Sequence, residues 1–409
     1  MKQFDIPLFY RSKFITKIKE ARRLSDPRKK DFSPAVLDFG PVRFLIPRHF
    51  GFCYGVENAI EISYRIIEQN PGKRIFLLSE IIHNPAVNEE LQSRGVRFIM
   101  DANGRQVIPW SELSGEDIII IPAFGTTIEI QDKLNALGIE THKYNTTCPF
   151  VEKVWNRSNQ LGENGYTVVV HGKYYHEETR ATFSHGAKSG PVVIVRNIEE
   201  AKILGSIILG ERNREDFYSL FKGKFSEGFD AEKDLTRIGV VNQTTMLASE
   251  TQYIADHLKT VMVKKYAAEK VKDHFADTRD TLCYATNDNQ EATYGLLREN
   301  ADFALVIGGY NSSNTGHIVE LCGEKFKTFF ISSPANIISS KEISHFDIHT
   351  KKVVTTTNYI PPKTPVDIIV TSGASCPDAV VEQVIQKLLS YFKDAISIEE
   401  VTGKFLSGK

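Results

Sequence analysis

Three cysteines of the 409-residue chain, Cys53, Cys148 and Cys283, lie far apart in sequence, each inside a short motif of small, polar and aromatic residues. The motifs read Gly51-Phe52-Cys53-Tyr54-Gly55-Val56, Asn145-Thr146-Thr147-Cys148-Pro149-Phe150 and Asp280-Thr281-Leu282-Cys283-Tyr284-Ala285-Thr286. Three thiolates gathered by folding can hold an iron–sulfur cluster and leave one iron without a protein ligand. An open iron is a Lewis acid, so the pattern points to chemistry rather than electron carriage alone. The plain alternative is that each is a small buried hydrophobe. No C-x-x-C pair is present, and structural zinc or ferredoxin-type sites draw on such local pairs, so a dispersed triad suits a cluster at a domain junction. Cys322, after Ile318-Val319-Glu320-Leu321, and Cys376, within Gly373-Ala374-Ser375-Cys376-Pro377-Asp378, read as packing residues.

Four further segments follow apolar runs and open helical ones. His171-Gly172-Lys173-Tyr174-Tyr175-His176-Glu177-Glu178-Thr179 is dense in polar groups; its carboxylates either bias a helix start electrostatically or relay protons, with a histidine for an anion. In Val241-Asn242-Gln243-Thr244-Thr245-Met246 a threonine is an N-cap or a hydroxyl offered to a substrate. Gly308-Gly309-Tyr310-Asn311-Ser312-Ser313-Asn314-Thr315 and Thr371-Ser372-Gly373-Ala374-Ser375 combine tight-turning glycines with hydroxyl and amide donors, a plausible phosphate cradle. Neither has the Gly-Lys-Ser/Thr ending of a Walker loop or the Rossmann glycine spacing, which argues against nucleotide binding.

The elements that must position these groups alternate short β-branched runs with stretches of helical period, the signature of βαβ units, so the fold class is α/β. Expected strands are Val42–Ile46, Arg74–Leu78, Ile118–Ile121, Thr167–His171, Val192–Val195, Arg237–Val241, Phe303–Ile307, Thr328–Ile331 and Asp367–Thr371. Expected helices include Glu57–Gln69, Ser249–Val261, Gln290–Glu299 and Ala379–Phe392. Gly210–Lys233, charged and studded with aromatics, is either an irregular insertion or a weak helix. No tandem repeat of fixed period is visible, so boundaries follow the motifs. They give a basic amino-terminal extension (1–40), lobes at 41–150, 151–279 and 280–392, and a carboxyl-terminal tail (393–409).

Hydrophobic residues at 41% and charged residues at 25% are the balance of a soluble globular protein, and a net charge of −1 supplies no global field for nucleic acid. The apolar runs are too short for a membrane span, and reduced thiols fit a cytoplasmic location. The basic first thirty residues raise an organelle transit peptide, against which stand Asp5, Glu20 and Asp26.

In order along the chain, Gly51-Phe52-Cys53, Glu80-Ile81-Ile82-His83-Asn84-Pro85, Thr147-Cys148-Pro149, His176-Glu177-Glu178-Thr179, Asn242-Gln243-Thr244-Thr245, Cys283-Tyr284-Ala285-Thr286, Asn311-Ser312-Ser313-Asn314 and Ser372-Gly373-Ala374-Ser375 closely resemble the 4-hydroxy-3-methylbut-2-enyl diphosphate reductase family. The likeness runs from about residue 40 to about 390, with wording nearest the plant and cyanobacterial branch. It implies three α/β lobes in a trefoil around one [4Fe–4S] cluster with three cysteine ligands, Cys53, Cys148 and Cys283. It further implies reductive removal of the substrate's allylic hydroxyl, held at the open iron, to give isopentenyl and dimethylallyl diphosphate. In the family's roles Glu178 delivers the proton and Thr244 stands near the hydroxyl. His83, His176, Ser312, Ser313, Asn314 and Ser375 hold the diphosphate, and a ferredoxin or flavodoxin donates electrons.

One departure stands out. Much of the bacterial family has a histidine where this chain reads Pro122-Ala123-Phe124-Gly125-Thr126, and Phe124 can neither donate a hydrogen bond nor carry charge. Two readings of other classes stay open: a quinolinate-synthase-like condensing dehydratase, against which the His176–Glu178 and Asn311–Asn314 segments argue, and a redox or iron sensor that binds a phosphorylated metabolite without converting it.

Overall fold

A computed structural model describes residues 4–101, 104–276, 281 and 283–407. Asp280 and Leu282 of the third cysteine motif, and the expected boundary at 279, lie outside them. The strands are β1 (Ala35–Asp38), β2 (Val42–Ile46), β3 (Ile75–Leu77), β4 (Arg97–Phe98), β5 (Ile118–Ile120), β6 (Thr167–His171), β7 (Val192–Val195), β8 (Ile238–Asn242), β9 (Phe275–Ala276), β10 (Phe303–Ile307), β11 (Thr328–Ile331), β12 (Glu342–Asp347), β13 (Lys352–Thr357) and β14 (Val366–Ser372). Every expected strand is present within a residue or two, and the fold class is α/β with parallel and mixed sheets. The chain divides into two compact units, residues 1–57, 83–89 and 284–409, and residues 58–82 and 90–283.

The first unit is built on a seven-stranded sheet in the order β1-β2-β14-β10-β11-β12-β13. Its centre is parallel: β14 pairs with β2 on one side and β10 on the other, with Ile369 opposite Leu45 and Ile307 opposite Ser372. Strands buried on both faces must be apolar throughout, which is why Phe303-Ala304-Leu305-Val306-Ile307 reads as an unbroken run. The helix Asp378–Leu389 covers one face with Val381, Val384, Ile385 and Leu388, spaced three and four apart and all buried.

Within the expected basic amino-terminal extension, residues 12–38 contribute a helix and a strand to the first unit. Ser12 caps the helix Lys13–Ser25 by accepting from Ile15 N at 2.9 Å, and Phe14, Ile15 and Ile18 of that helix enter the core of the sheet. β1 runs antiparallel to β2 through a tight turn in which Gly40, at φ +90°, donates to Asp38 Oδ1 at 2.8 Å. Likewise Ile398–Ser407, expected within a tail, is a helix whose Val401 is buried in the same core. β2, expected with the first lobe, is hydrogen-bonded into the sheet of the carboxyl-terminal strands.

The second unit holds two parallel sheets, β4-β3-β5 and β7-β6-β8-β9. In the latter, His171 at the end of β6 stands opposite Asn242 at the end of β8. Gly210–Lys233 contains the helix Glu215–Leu220, and the rings of Phe217, Phe221, Phe225 and Phe229 pack together. Phe225 bridges Val193 on the β7 edge. The insertion is therefore a cap on that edge, held by aromatic burial rather than by helical period. Among the described residues no helix is long and apolar enough to cross a membrane.

Candidate functional site

In open α/β sheets, ligands bind beyond the carboxyl ends of the strands. In the first unit, three neighbouring parallel strands, β2, β14 and β10, lead into the Cys53 loop, the Gly373–Ser375 turn and the Gly308–Asn314 turn. The turns are knitted directly: Cys53 N donates to Ala374 O at 3.1 Å and Ala374 N donates to Asn314 Oδ1 at 2.9 Å. His83 joins them, since Ser375 Oγ donates to His83 O at 3.1 Å and Asn311 Nδ2 lies 3.2 Å from His83 Nδ1.

Gly309 is required here, because a Cβ on it would stand 2.4 Å from His83 O. Thr315 wedges between the turns, and a Cβ on Gly308 or Gly373 would meet its Oγ1 at 2.5 or 2.0 Å. Ser312 caps the helix Ser313–Gly323, accepting from Thr315 N at 3.3 Å. Ser312, Ser313, Asn314, Ser375 and His83 are all buried, and Asn314 Nδ2 has no hydrogen-bond partner among the described residues. A buried amide donor left unpaired costs on the order of 1–3 kcal/mol, so the position suits an anionic ligand that accepts from it.

The second unit repeats this construction with different side chains. β6 leads into the helix Glu177–Ala187, capped by His176, whose Nδ1 accepts from Glu178 N at 3.2 Å. An accepting Nδ1 leaves the proton of the neutral ring on Nε2, so His176 presents a donor. Thr244, in the turn after β8, donates its N–H to the Glu178 carboxylate, which is 1% exposed. Gln243 braces both turns, its Oε1 accepting from Thr179 Oγ1 at 3.0 Å and from Lys173 N at 3.2 Å. Thr281 Oγ1 donates to Asn242 Oδ1 at 2.7 Å and so draws the Cys283 segment to the end of β8.

Cys148 N donates to Ala123 O at 2.9 Å, the same cysteine-to-alanine link that Cys53 makes with Ala374. Phe124, where a donor was absent by sequence, packs edge-on against the His176 ring with centroids 5.8 Å apart. It thus orients the neighbouring donor instead of supplying one.

The three motif cysteines share a setting. Cys148 caps the helix Pro149–Glu163, and Cys53 and Cys283 immediately precede the helices Tyr54–Gln69 and Tyr284–Leu297. All three are half-buried, whereas Cys322 and Cys376 are fully buried in cores. A helix start favours a thiolate. At Cys148 burial nevertheless pushes the thiol up to about 12; the N–H groups of Phe150 and Val151 pull it down, and the nearby Cys283 and Glu178 push it up further. Such a thiol stays protonated near neutrality unless a cation stands beside it.

The structure thus gathers Cys53, His83, Ser312, Ser313, Asn314 and Ser375 in one unit, and Cys148, His176, Glu178, Thr244 and Cys283 in the other. Reading by motif missed Asn311, Gln243 and Thr315 as the residues that hold these groups. A detectable signal existed: Gly172 and Thr179, like Gly308 and Thr315, are a glycine and a threonine at equal spacing after a strand.

The sequence profile of the family described as LytB protein matches residues 44–389. A Prochlorococcus marinus (strain AS9601) protein named 4-hydroxy-3-methylbut-2-enyl diphosphate reductase is 38% identical over 394 residues, 93% of this chain and 95% of that one. A Crocosphaera subtropica protein of the same name is 40% identical over 350 residues, 85% of each chain. The solved structure of the E-1-hydroxy-2-methyl-but-2-enyl-4-diphosphate reductase from Plasmodium falciparum shares the fold, with a TM-score of 0.58 at 20% identity over 82% of this chain and 85% of that one. With the profile spanning most of its length and relatives near 40% identity, the chain belongs to the LytB protein family.

Proposed function

We propose that this chain reduces (E)-4-hydroxy-3-methylbut-2-enyl diphosphate to isopentenyl and dimethylallyl diphosphate, the last step of the methylerythritol phosphate route to isoprenoids. The observation that carries the reading is the near-full-length identity to relatives bearing that reductase name. Balanced, the reaction consumes two electrons and two protons, breaks the allylic C–O bond, releases water and places one new C–H bond at either end of the allyl unit.

Cys53, Cys148 and Cys283 are assigned to one [4Fe–4S] cluster within a trefoil of three α/β lobes; the presence of three sheets and the common helix-start setting of the cysteines support this. When bound, the cluster supplies single electrons and a Lewis-acidic iron for the hydroxyl. Ser312, Ser313, Asn314, Ser375 and His83 take the diphosphate, with His176 Nε2 as a further donor. Their burial excludes water and strengthens each hydrogen bond. Glu178 holds the proton that neutralises the departing oxygen, and the Thr244 N–H fixes its carboxylate while the Thr244 hydroxyl orients the substrate's. A ferredoxin or flavodoxin is the electron donor, and the cytoplasm, where thiols stay reduced, is the location.

Anaerobic purification, iron and sulfide analysis, and reduction of the hydroxylated diphosphate by a strong one-electron donor test the assignment. Brown, iron-loaded protein forming both five-carbon products is expected. A colourless, iron-free, inactive protein after reconstitution would end it.

A further inference from the structure

A cavity of about 370 Å³ lies beside the Cys53 loop, walled by residues of the first unit from its amino-terminal segment, the Cys53 loop and the start of the helix Tyr284–Leu297. Lys19, Arg23, Lys29 and Arg48 bring four cations to it, and Glu57 and Asp288 two acids. Lys19 is held by Asp378 at 2.7 and 2.8 Å and by Phe50 O at 2.9 Å, and Lys29 by Asp288 at 2.6 Å. Arg23 and Arg48 have no such carboxylate within ion-pair distance among the described residues.

Arg48 is the telling member. It is 7% exposed, its Nη2 donates to Asp26 O at 3.2 Å, and its Nε is buried with no hydrogen-bond partner. His49 Nε2, in the same wall, is likewise buried and unpartnered. Burying a guanidinium without satisfying its donors is costly, and a planar fork of this kind is the geometry that takes an oxyanion. Two cations without acid partners match a doubly charged phosphoryl group better than a single carboxylate. Much of the remaining wall is aromatic, from Phe4, Phe50, Phe52, Tyr54 and Tyr284, with Cys53 among its other members.

We propose that this cavity binds a phosphorylated small molecule, its phosphoryl group on Arg48 and Arg23 and its apolar body against the aromatic wall. The site shares no residue with the Ser312–Asn314 cradle, although Cys53 is part of its wall. Its place between the amino-terminal helix and the Cys53 loop makes it a control point, since a ligand there braces the loop that leads into the helix Tyr54–Gln69.

The test is titration calorimetry on the anaerobic holoenzyme carrying Ser313→Ala and Asn314→Ala, which removes the catalytic cradle's share of anion binding. Inorganic phosphate and phenyl phosphate are the probes. Saturable binding of one phenyl phosphate per chain, at least about tenfold tighter than inorganic phosphate, is expected. Arg48→Gln should weaken it at least about tenfold. Arg23→Gln, at an exposed position, should weaken it about threefold, and it decides alone if the Arg48 variant does not fold. Equal affinity for the two probes would replace the phosphate ester with free phosphate as the ligand. No saturable binding at millimolar concentration, or affinity unchanged in the folded variants, would overturn the site.

Discussion

Gly373→Ala isolates one steric contact at the heart of the anion cradle. The residue is not in the left-handed region, so alanine adds no backbone strain. Its Cβ would nevertheless stand 2.0 Å from Thr315 Oγ1 and 3.1 Å from Thr315 Cβ. Thr315 is fully buried, and its Oγ1 donates to Ser312 Oγ at 3.0 Å, so it has nowhere to swing. The helix start must move off β14, costing about 1–3 kcal/mol as overpacking does. That displacement lengthens the Ala374 N to Asn314 Oδ1 bond and misplaces Ser313, Asn314 and Ser375, so the substrate KM should rise about tenfold, a loss of about 1.4 kcal/mol of binding, with a smaller change in kcat. Thr315→Ala alone loses one buried hydrogen bond and a methyl group, about 1–2 kcal/mol. Because it also removes the clashing oxygen and leaves the 3.1 Å approach to Cβ, the double variant should be less destabilised than the sum of the two, a coupling of at least about 1 kcal/mol. Urea unfolding midpoints of the four proteins and steady-state kinetics measure both effects. Strict additivity of the two substitutions would refute the wedge.

The remaining expectations are shorter. Glu178→Gln should keep iron content and substrate affinity yet slow turnover by about 10²- to 10⁴-fold, as loss of a general acid does; near-normal turnover takes Glu178 off the proton path. Serine at Cys53, Cys148 or Cys283 should each deplete bound iron, while Cys322→Ala and Cys376→Ala should retain it at some cost in stability; iron analysis that ranks them otherwise reassigns the ligands. His49 is held down to about 4 from an ordinary 6.5, chiefly by burial and further by Lys29, Arg48 and Lys19, against Asp288. A histidine so depressed stays neutral in the fold while the unfolded chain takes up a proton, so its contribution is complete above about pH 6.5 and falls as the pH drops toward about 4. Against His49→Asn, the wild-type unfolding midpoint should lose ground across that window, and a pH-independent difference contradicts it.

The central strands were legible because burial leaves little but apolar side chains there, and β2, β6, β7, β10 and β11 have their expected bounds. The hairpin β12–β13 was not, since Lys352–Thr357 is mostly exposed and its alternation is blurred by polar residues. The amino-terminal helix hid behind its charge. Only Phe14, Ile15 and Ile18 of Lys13–Ser25 reach the core, and the lysines and arginines on its other faces read as a solvated extension. The candidate site side chains stood out in their motifs, whereas the residues that brace them did not. Lys19 finds Asp378 across 359 positions of chain, and Asn311 finds His83 across 228, distances over which no local pattern speaks.

A repeat invisible as sequence identity underlies the turns after β6 and β10. After β6 and after β10 the chain runs from a glycine to a capping residue and then to a threonine packed back on that glycine: Gly172, His176, Thr179 in one unit and Gly308, Ser312, Thr315 in the other. The residue just before each threonine accepts an N–H from the turn after the neighbouring strand, Glu178 from Thr244 and Asn314 from Ala374. The backbone demand is the same in both, one oxygen for one N–H, and either side chain meets it. What differs is the second polar atom. An amide leaves a nitrogen donor, which suits an anion that must be held; a carboxyl leaves an oxygen able to carry a proton, which suits a group that must be protonated as it leaves. Asn314 and Glu178 are thus equivalent in position and opposite in hydrogen-bonding capacity, and the proposed division between a diphosphate cradle and a proton source rests on one change of functional group on a shared scaffold.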